Sequence, residues 1–264
     1  MNNEDYLQVY KFFEEKYDRL GVSDFDYFYI YSDFRWFASK IAKNLTKNEF
    51  CLAVIKPLIE KNKTVIVPTY TYTVEGVFEV SETPTRLGTL NSWILRQAKV
   101  CRSEHPLFSF ASLGPGASLV ENCGKSAFGK NSVHERLVGK RACVLHIGKP
   151  IHLANTLIHH VEQLCGATYR INKCFKTKVY QNGKYLGTDY SAFLRRRDVK
   201  GRDFHFDLKR AAQKLYKTKI PKEVGNPKNL SNITLCDYDK LGNFFVESFF
   251  NDHSIFLSKE FVQY

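Results

Sequence analysis

The segment FDYFYIY at residues 25–31 decides how the chain is expected to fold. Five of its seven residues are aromatic, and such a short, nearly unbroken apolar run predicts a strand that is buried on both faces. The run breaks at Ser32 and Asp33, and residues 37–45 then place an apolar side chain at every fourth position, which indicates a helix. A strand that enters a helix through a short polar turn leaves backbone N–H groups free at the helix start, where a phosphate can bind.

Other segments extend this pattern into a layered sheet. The runs TVIVP at residues 64–68 and CVLHIG at residues 143–148 are short and apolar, so they predict two further buried strands. Residues 5–20 place apolar side chains three and four positions apart, which predicts an amphipathic helix. We therefore expect a single compact layered α/β domain over residues 1–264, with a central mixed sheet and ligands beyond the carboxyl ends of its strands.

The chain changes from helix to strand and turn between residues 169 and 200. The tetrapeptide QNGK at residues 181–184 predicts a hairpin turn, because Asn-Gly accepts positive φ angles at little cost. We expect a C-terminal β extension here, followed by a short helix at residues 208–215. Residues 217–232 are basic and contain two prolines, so we expect a surface loop.

Composition argues against a membrane protein and favours an anionic ligand. The 264 residues include 39 Lys and Arg against 27 Asp and Glu, a formal net charge of +12. No run of about 18 uncharged apolar residues occurs, and the first residues alternate charges with aromatic side chains instead of forming a signal peptide. The charge is scattered, with no aromatic RNA-binding strand and no helix-turn-helix pattern. We therefore expect small polyanions, such as coenzyme A or nucleotide-linked sugars, instead of nucleic acid.

The seven cysteines indicate a reducing, cytoplasmic environment. They are odd in number, scattered and never spaced as Cys-x-x-Cys, so neither a disulfide framework nor a structural zinc site is expected. Cys101 lies four residues before His105, which leaves a nucleophilic thiol as an alternative to a buried one.

The segment TLIHHVE at residues 156–162 carries a candidate general base. On a helix, His159 and Glu162 share one face, so the carboxylate can fix the imidazole tautomer and raise its basicity. This arrangement predicts a base with its orienting partner. A metal site built from this pair together with His152 and His160 is the weaker alternative, because adjacent helical residues point about 100° apart. We expect no metal.

Five segments occur together and in a fixed order. They are VPTYTYT at residues 67–73, TPTRLGTL at 83–90, RSEHPLFSFASLGPGA at 102–117, FGKNSVHERL at 128–137 and TLIHHVE at 156–162. This series resembles the aminoglycoside 3-N-acetyltransferase family, whose members show a proline-threonine strand end, a TP…G segment, RSxHP…SFxAxG, GxxS and a TxLHxxE helix. The resemblance covers residues 25–210 and implies a compact α/β sandwich, an acyl-coenzyme A donor and N-acyl transfer.

The resemblance implies catalytic roles for three residues. His159 and Glu162 match the family's helix histidine and glutamate, and His105 matches the histidine of RSxHP. Because an amine is mostly protonated at neutral pH, the site must remove a proton and stabilise the oxyanion that forms. We expect His159 to be the base and the amine to attack directly. His105, Ser103 or a backbone N–H near Thr71 would donate to the thioester carbonyl.

The coenzyme A site is expected at the polar turn after the first strand. This turn occupies the place of the family's serine-containing loop, although Asp33 stands where that loop has a small residue. The residues expected to bind coenzyme A are Ser32, Asp33, Phe34, Arg35, Arg102 and Ser103.

The acceptor is expected to differ from an antibiotic. Resistance enzymes of this family carry an aspartate-rich stretch where this chain has Arg195, Arg196 and Arg197, followed by Lys200 and Arg202. A polycation would be repelled there, whereas a nucleoside diphosphate would accept charge-assisted hydrogen bonds. The resulting hypothesis is N-acyl transfer to a nucleotide-linked amino sugar in surface-polysaccharide synthesis. The expected substrate contacts are Trp36, Tyr70, Thr71, Tyr72, Arg195 and Arg197.

Several alternatives stay open. The acceptor can be an aminoglycoside, the arginines can be a solvated face, and the chain can be an inactive binding module with a basic face for nucleic acid. Intact His105, His159 and Glu162 argue against the inactive module. A homodimer is left open as the assembly.

Overall fold

The computed structural model describes residues 3–197 and 204–258. Within these ranges the α-helices are α1 (Asn3–Leu20), α2 (Arg35–Lys40), α3 (Lys47–Glu60), α4 (Thr89–Ile94), α5 (Val133–Leu137), α6 (Leu157–Leu164), α7 (Lys209–Leu215) and α8 (Tyr238–Asn251). The strands are β1 (Tyr27–Ser32), β2 (Thr64–Pro68), β3 (Val77–Glu79), β4 (Cys101–Arg102), β5 (Phe110–Leu113), β6 (Ala142–Ile147), β7 (Arg170–Cys174), β8 (Lys178–Gln181), β9 (Lys184–Gly187), β10 (Ser191–Arg195), β11 (Pro221–Val224) and β12 (Ile233–Asp237). Short 3-10 helices cover Val22–Asp24, Ala117–Val120, Ile151–Leu153 and Pro227–Asn229.

A mixed sheet forms the centre of the fold. Seven strands of the described residues lie in the order β11-β12-β6-β1-β2-β5-β4. Strand β1 pairs in parallel with both β2 and β6, whereas β5 and β12 add antiparallel strands outside them. The prediction of a central mixed sheet is therefore confirmed. The three parallel strands end at the same edge, which places their last residues side by side.

Helices cover both faces of this sheet. Phe28 and Ile30 pack in the cluster that contains α1, α3 and α4, whereas Tyr29 and Tyr31 pack in the cluster that contains α6, α7 and α8. Side chains alternate between the two faces of a strand, so each strand of the centre needs apolar or aromatic residues at every position. This two-sided burial explains the unbroken run in residues 25–31.

The predicted β extension consists of two small sheets. Strands β3, β8 and β9 form one, and β7 and β10 form the other. Asn182 and Gly183 join β8 to β9 with φ angles of 51° and 75°, so the predicted hairpin turn is confirmed.

Two local predictions need correction. The surface loop expected at residues 217–232 contains β11, an edge strand of the central sheet that pairs with β12. Its side chains are mostly exposed and it begins at a proline, which an edge strand tolerates, so it lacks the alternation by which strands are recognised. The helix expected over residues 37–45 ends at Lys40, and a new helix begins after Thr46, whose side chain forms a capping box with Glu49.

Within residues 3–197 and 204–258, no helix has both the length and the apolar character that a membrane span needs.

Gly148 offers a test of how tightly the ends of β1 and β6 are packed. Its φ is +62°, and an added Cβ would collide with the backbone oxygen of Asp33 and lie 2.9 Å from that of Leu230. Gly183 also has a positive φ but open space around it. We expect Gly183→Ala to cost about 1–2 kcal/mol from backbone strain. Gly148→Ala should cost roughly 1–3 kcal/mol more, because two backbones must move apart. Urea unfolding measures both losses, and equal losses would contradict the close packing.

Candidate active site

Two adjoining clefts open beyond the carboxyl ends of the parallel strands. The tyrosine cleft has a volume of about 310 Å³ and is lined by residues that include Tyr31, Tyr70, Tyr72, Asn155, Thr156 and His159. The cationic cleft has a volume of about 460 Å³ and is lined by residues that include Asp33, Phe34, Arg35, Leu45, Lys47 and Phe50. Ser32, Gly88 and Lys149 line both clefts, so the two spaces adjoin at these residues.

Helix α6 places His159 in the wall of the tyrosine cleft. Its Nδ1 lies 2.9 Å from Oε2 of Glu162, three residues further along the helix. Glu162 is fully buried, and its Oε1 accepts a hydrogen bond of 2.8 Å from the Tyr169 hydroxyl. Nε of Arg170 lies 2.7 Å from Oε2 and supplies the compensating charge. The predicted pair is thus present and is embedded in a larger polar group.

The ionisation of Glu162 determines which nitrogen of His159 is available. Burial pushes the pKa of Glu162 upward, but the hydrogen bond from His159 and the charge of Arg170 outweigh it and hold this pKa below its ordinary value. Nη2 of Arg170 also lies 2.9 Å from His159 Nδ1, and a single ring nitrogen cannot donate to Glu162 while it accepts from Arg170. Because Glu162 is ionised, it accepts the Nδ1 proton. The lone pair of Nε2 is then free to accept a proton from a ligand.

Electrostatics keep the imidazole of His159 neutral. Burial lowers its pKa and the positive charge of Arg170 lowers it further, whereas the hydrogen bond and the charge of Glu162 oppose them. The charge of Arg195 adds a smaller decrease. A histidine whose pKa lies below the ordinary value is unprotonated at neutral pH, as a general base must be.

A cluster of hydroxyl groups stands beside this pair. Oγ1 of Thr156 lies 2.7 Å from the Tyr29 hydroxyl, 2.8 Å from that of Tyr31 and 2.8 Å from that of Tyr70. His134 Nε2 lies 3.3 Å from the same oxygen. We call these five residues the hydroxyl cluster. It joins the ends of β1 and β2 to the start of α6, and therefore fixes the distance between the sheet and His159.

Arg102 and Ser103 lie in the core and do not line either of the two clefts. The Arg102 guanidinium donates to the carbonyl oxygens of Val80 and Thr83 at 2.9 and 2.6 Å, and Ser103 Oγ accepts from the backbone N–H of Phe110 at 2.8 Å. Both side chains are buried. Their positions favour a structural role over the coenzyme A contacts that we expected.

Both ring nitrogens of His105 likewise form hydrogen bonds with backbone groups. Its Nδ1 accepts from the N–H groups of Leu107 and Phe108, so the ring proton is on Nε2, which donates to the carbonyl oxygen of Ser191 at 2.9 Å. Burial lowers the pKa of His105 to about 4. This neutral imidazole ties a loop to β10, which favours a structural role over the expected role at the thioester carbonyl.

The turn after β1 does reach a cleft. Ser32, Asp33, Phe34 and Arg35 all line the cationic cleft, as expected for a coenzyme A site. Nη2 of Arg35 lies 2.6 Å from Oδ2 of Asp33, and this hydrogen bond is the main reason that the pKa of Asp33 is lowered. The guanidinium is otherwise exposed to solvent.

The residues expected to bind the acceptor divide into two groups. Tyr70 and Tyr72 line the tyrosine cleft. In contrast, Thr71 donates its hydroxyl hydrogen bond to the carbonyl oxygen of Pro106, and Trp36 packs edge to face against Phe37 with 5.2 Å between ring centroids. Neither Thr71 nor Trp36 lines a cleft.

The arginine run is close to the site but does not line it. Arg195 donates a hydrogen bond of 2.6 Å to the carbonyl oxygen of Phe204, and Arg197 is exposed. The charge of Arg195 lowers the pKa of His159. Lys200 and Arg202, the rest of the predicted basic stretch, lie outside the described residues.

The two alternative chemistries find little support. Burial and the neighbouring Glu121 raise the pKa of Cys101 to about 11, so its thiol is a poor nucleophile at neutral pH. In the part of the chain that the structure describes, no group of three or more His, Cys, Asp and Glu side chains could hold a metal ion.

Sequence reasoning did not single out Lys149 or Asn155. Both belong to the connection between β6 and α6, and both line the tyrosine cleft. The position of this connection, directly after the predicted strand at residues 143–148, was the signal that could have identified them, because ligands collect at that end of a parallel strand.

The hydroxyl cluster yields a stability prediction. Thr156→Val removes the oxygen that three buried tyrosine hydroxyls share, and we expect a loss of about 1–3 kcal/mol, because each hydroxyl loses one hydrogen bond and keeps only its others, such as those that join Tyr29 to Tyr31 and Tyr70. Thr156→Ser keeps the hydroxyl and should lose less. Urea unfolding of both variants measures the difference. If valine and serine behaved alike, the hydrogen bonds would contribute little to stability.

A family model for aminoglycoside 3-N-acetyltransferases matches residues 40–249 of the chain. Aminoglycoside N(3)-acetyltransferase IX of Micromonospora chalcea is 28% identical over 131 residues, which cover 49% of this chain and 44% of that protein. The chain thus matches less than half the length of this curated relative.

Solved structures of similar fold cover nearly the whole chain. The apoenzyme of aminoglycoside acetyltransferase AAC(3)-IVa superposes with a TM-score of 0.72 at 22% identity, over 95% of this chain and 92% of that one. YokD from Bacillus subtilis superposes with a TM-score of 0.68 at 17% identity, over 93% and 94% of the two chains. At these identities the structures establish a shared fold. The family model and the ordered motifs together show that the chain belongs to the aminoglycoside 3-N-acetyltransferase family.

Proposed function

We propose that the protein is a cytoplasmic acyl-coenzyme A-dependent N-acetyltransferase that acts on an amino group of an aminoglycoside-type amino sugar. The observation that carries this proposal is the contact of 2.9 Å between His159 Nδ1 and Glu162 Oε2 in the wall of the tyrosine cleft. Family membership supports the reaction class. Two similar structures, complexes of aminoglycoside acetyltransferases with a gentamicin and with sisomicin, support the acceptor class.

The cationic cleft fits the donor chemically. Phe34, Leu45 and Phe50 offer an apolar wall that suits the pantetheine chain, and Arg35 and Lys47 offer cations that suit its phosphates. Acetyl-coenzyme A would supply an acyl group that is activated as a thioester. Because the two clefts adjoin at Ser32, Gly88 and Lys149, a donor bound in the cationic cleft would place this group next to the tyrosine cleft.

His159 and the residues around it would have separate roles in proton transfer. Nε2 of His159 accepts the proton that the attacking amine must lose, and Glu162 keeps Nδ1–H in place and stabilises the imidazolium. Arg170 and Tyr169 hold the Glu162 carboxylate in one orientation. The rings of Tyr70 and Tyr72 offer apolar faces to a sugar in the same cleft.

The charges around the clefts favour a second acceptor, a nucleotide-linked amino sugar. Arg35 and Lys47 line the cationic cleft, which we assign to the donor. Among the described residues that line the tyrosine cleft, where the acceptor would bind, Lys149 is a cation and none is a carboxylate. A polycationic antibiotic gains nothing from such a lining, and a diphosphate gains charge-assisted hydrogen bonds. Arg195 and Arg197, in contrast, do not line the two clefts.

Thiol release from acetyl-coenzyme A tests the proposed function. With wild-type protein we expect release that depends on an amine acceptor, and a comparison of gentamicin and sisomicin with nucleotide-linked amino sugars decides between the two acceptor classes. His159→Asn should lower kcat by about 10²–10⁴-fold, because no base remains to take the proton. Glu162→Gln should lower it less.

His152→Asn is the matched control for these variants. His152 lies seven residues before His159, outside the residues that line the clefts, so its replacement should leave turnover near the wild-type value. Wild-type turnover in His159→Asn would assign the base to another residue. The absence of any amine-dependent thiol release would contradict the proposed function itself.

The pH dependence of kcat/KM tests the electrostatics of His159. Activity should rise with pH as His159 loses its proton, with an apparent pKa below the ordinary value for histidine. Arg170→Met removes a charge that lowers this pKa, so the rise should move to higher pH. Arg195→Met should move it in the same direction but less, since Arg195 is the weaker influence. A shift to lower pH in Arg170→Met would contradict this account.

A further inference from the structure

One polar side chain in the tyrosine cleft has no hydrogen-bond partner among the residues that the structure describes. Asn155 is 2% exposed, and neither its amide nitrogen nor its amide oxygen makes a hydrogen bond to any residue that the structure describes. A buried amide without partners destabilises the folded state, so its retention calls for an explanation such as a ligand that satisfies it. Asn155 lines the same cleft as His159 and lies four residues before it in the chain.

Three other polar groups of this cleft are already engaged in hydrogen bonds within the protein. The Asn91 amide nitrogen donates to the carbonyl oxygen of Pro68 at 2.6 Å, and the hydroxyl groups of Tyr31 and Tyr70 belong to the hydroxyl cluster. Asn155 therefore differs from these neighbours, since its amide nitrogen and its amide oxygen have no partner in the described part of the chain. Buried donors that need no reorientation are the groups that stabilise a developing negative charge most effectively.

We propose that the Asn155 amide binds the acyl group, with an N–H that donates to the thioester carbonyl oxygen. This inference rests on the proposed function. As the amine lone pair forms the C–N bond, the π electrons of the carbonyl move to its oxygen, and the Asn155 N–H stabilises the negative charge there. His159 Nε2 takes one proton from the amine nitrogen. When the electron pair on oxygen restores the carbonyl, the C–S bond breaks, and coenzyme A leaves as a thiolate that accepts the proton from His159.

Ligand binding tests this contact without turnover. The probes are coenzyme A and acetonyl-coenzyme A, a ketone that keeps the carbonyl but cannot transfer it. We expect the wild-type protein to bind the ketone more tightly than coenzyme A in calorimetry. Asn155→Ala should lose this preference while its affinity for coenzyme A is unchanged. A preference that survives in Asn155→Ala, or that is absent from the wild type, would overturn the inference.

Kinetics and stability separate a ligand contact from a structural role. Asn155→Ala should lower kcat by roughly 10- to 10³-fold, the range for the loss of one donor to an oxyanion. Its melting temperature should not fall, because no hydrogen bond within the protein is lost. Asn91→Ala is the matched comparison: the same amide in the same cleft is bonded to Pro68, so this variant should melt at a lower temperature.

Other outcomes of the Asn155→Ala experiments also test the proposed contact with the carbonyl oxygen. Wild-type kcat in Asn155→Ala, or a rise in KM for the amine alone, would overturn the assignment to the carbonyl oxygen. A clear drop in its melting temperature together with an unchanged ligand preference would identify a structural residue. If the wild type prefers the ketone and Asn155→Ala does not, but no amine is acetylated, the contact stands and the proposed acceptor reaction fails.

Discussion

The parallel pairing of β1 with β2 and β6 is the constraint on which the remaining structure depends. A strand between two parallel neighbours is covered by helices on both faces, so each of its residues must be apolar or must find a polar partner inside the protein. Phe28 and Ile30 meet the first condition, and Tyr29 and Tyr31 meet the second by turning their hydroxyl groups toward Thr156. The same pairing brings three strand ends to one edge, where both clefts open.

The site tolerates the buried charge of Glu162 because nearby residues compensate it. Helix α6 packs over the sheet, so Glu162 lies inside the protein, where an unpaired carboxylate would be strongly destabilising. Arg170 neutralises it from the first residue of β7, and Tyr169 binds its other oxygen from the preceding position. The charge that orients His159 is therefore maintained by a neighbouring strand and not by α6 alone.

The sequence predicted those features that depend on neighbours along the chain. The apolar runs located β1, β2 and β6, the Asn-Gly pair located the hairpin, and the three-residue spacing of His159 and Glu162 located their contact. Features that depend on partners far away in the chain could not be predicted in this way. Arg102 and His105 stand in a motif of polar residues that looks like a site, yet their partners are carbonyl oxygens of other segments. The contact of Arg170 with Glu162 was likewise not predicted, because it depends on how the turn between α6 and β7 is folded.

The hydroxyl cluster has a consequence for how the cleft responds to charge. One hydroxyl group can donate once and accept twice, but the oxygen of Thr156 has four polar neighbours within 3.3 Å. Its hydrogen atoms can therefore be arranged in more than one order without movement of the heavy atoms. A wall of this kind is polarisable: when the charge of a ligand in the cleft changes, the O–H dipoles can reorient in place, and the rigid sheet beneath them need not move.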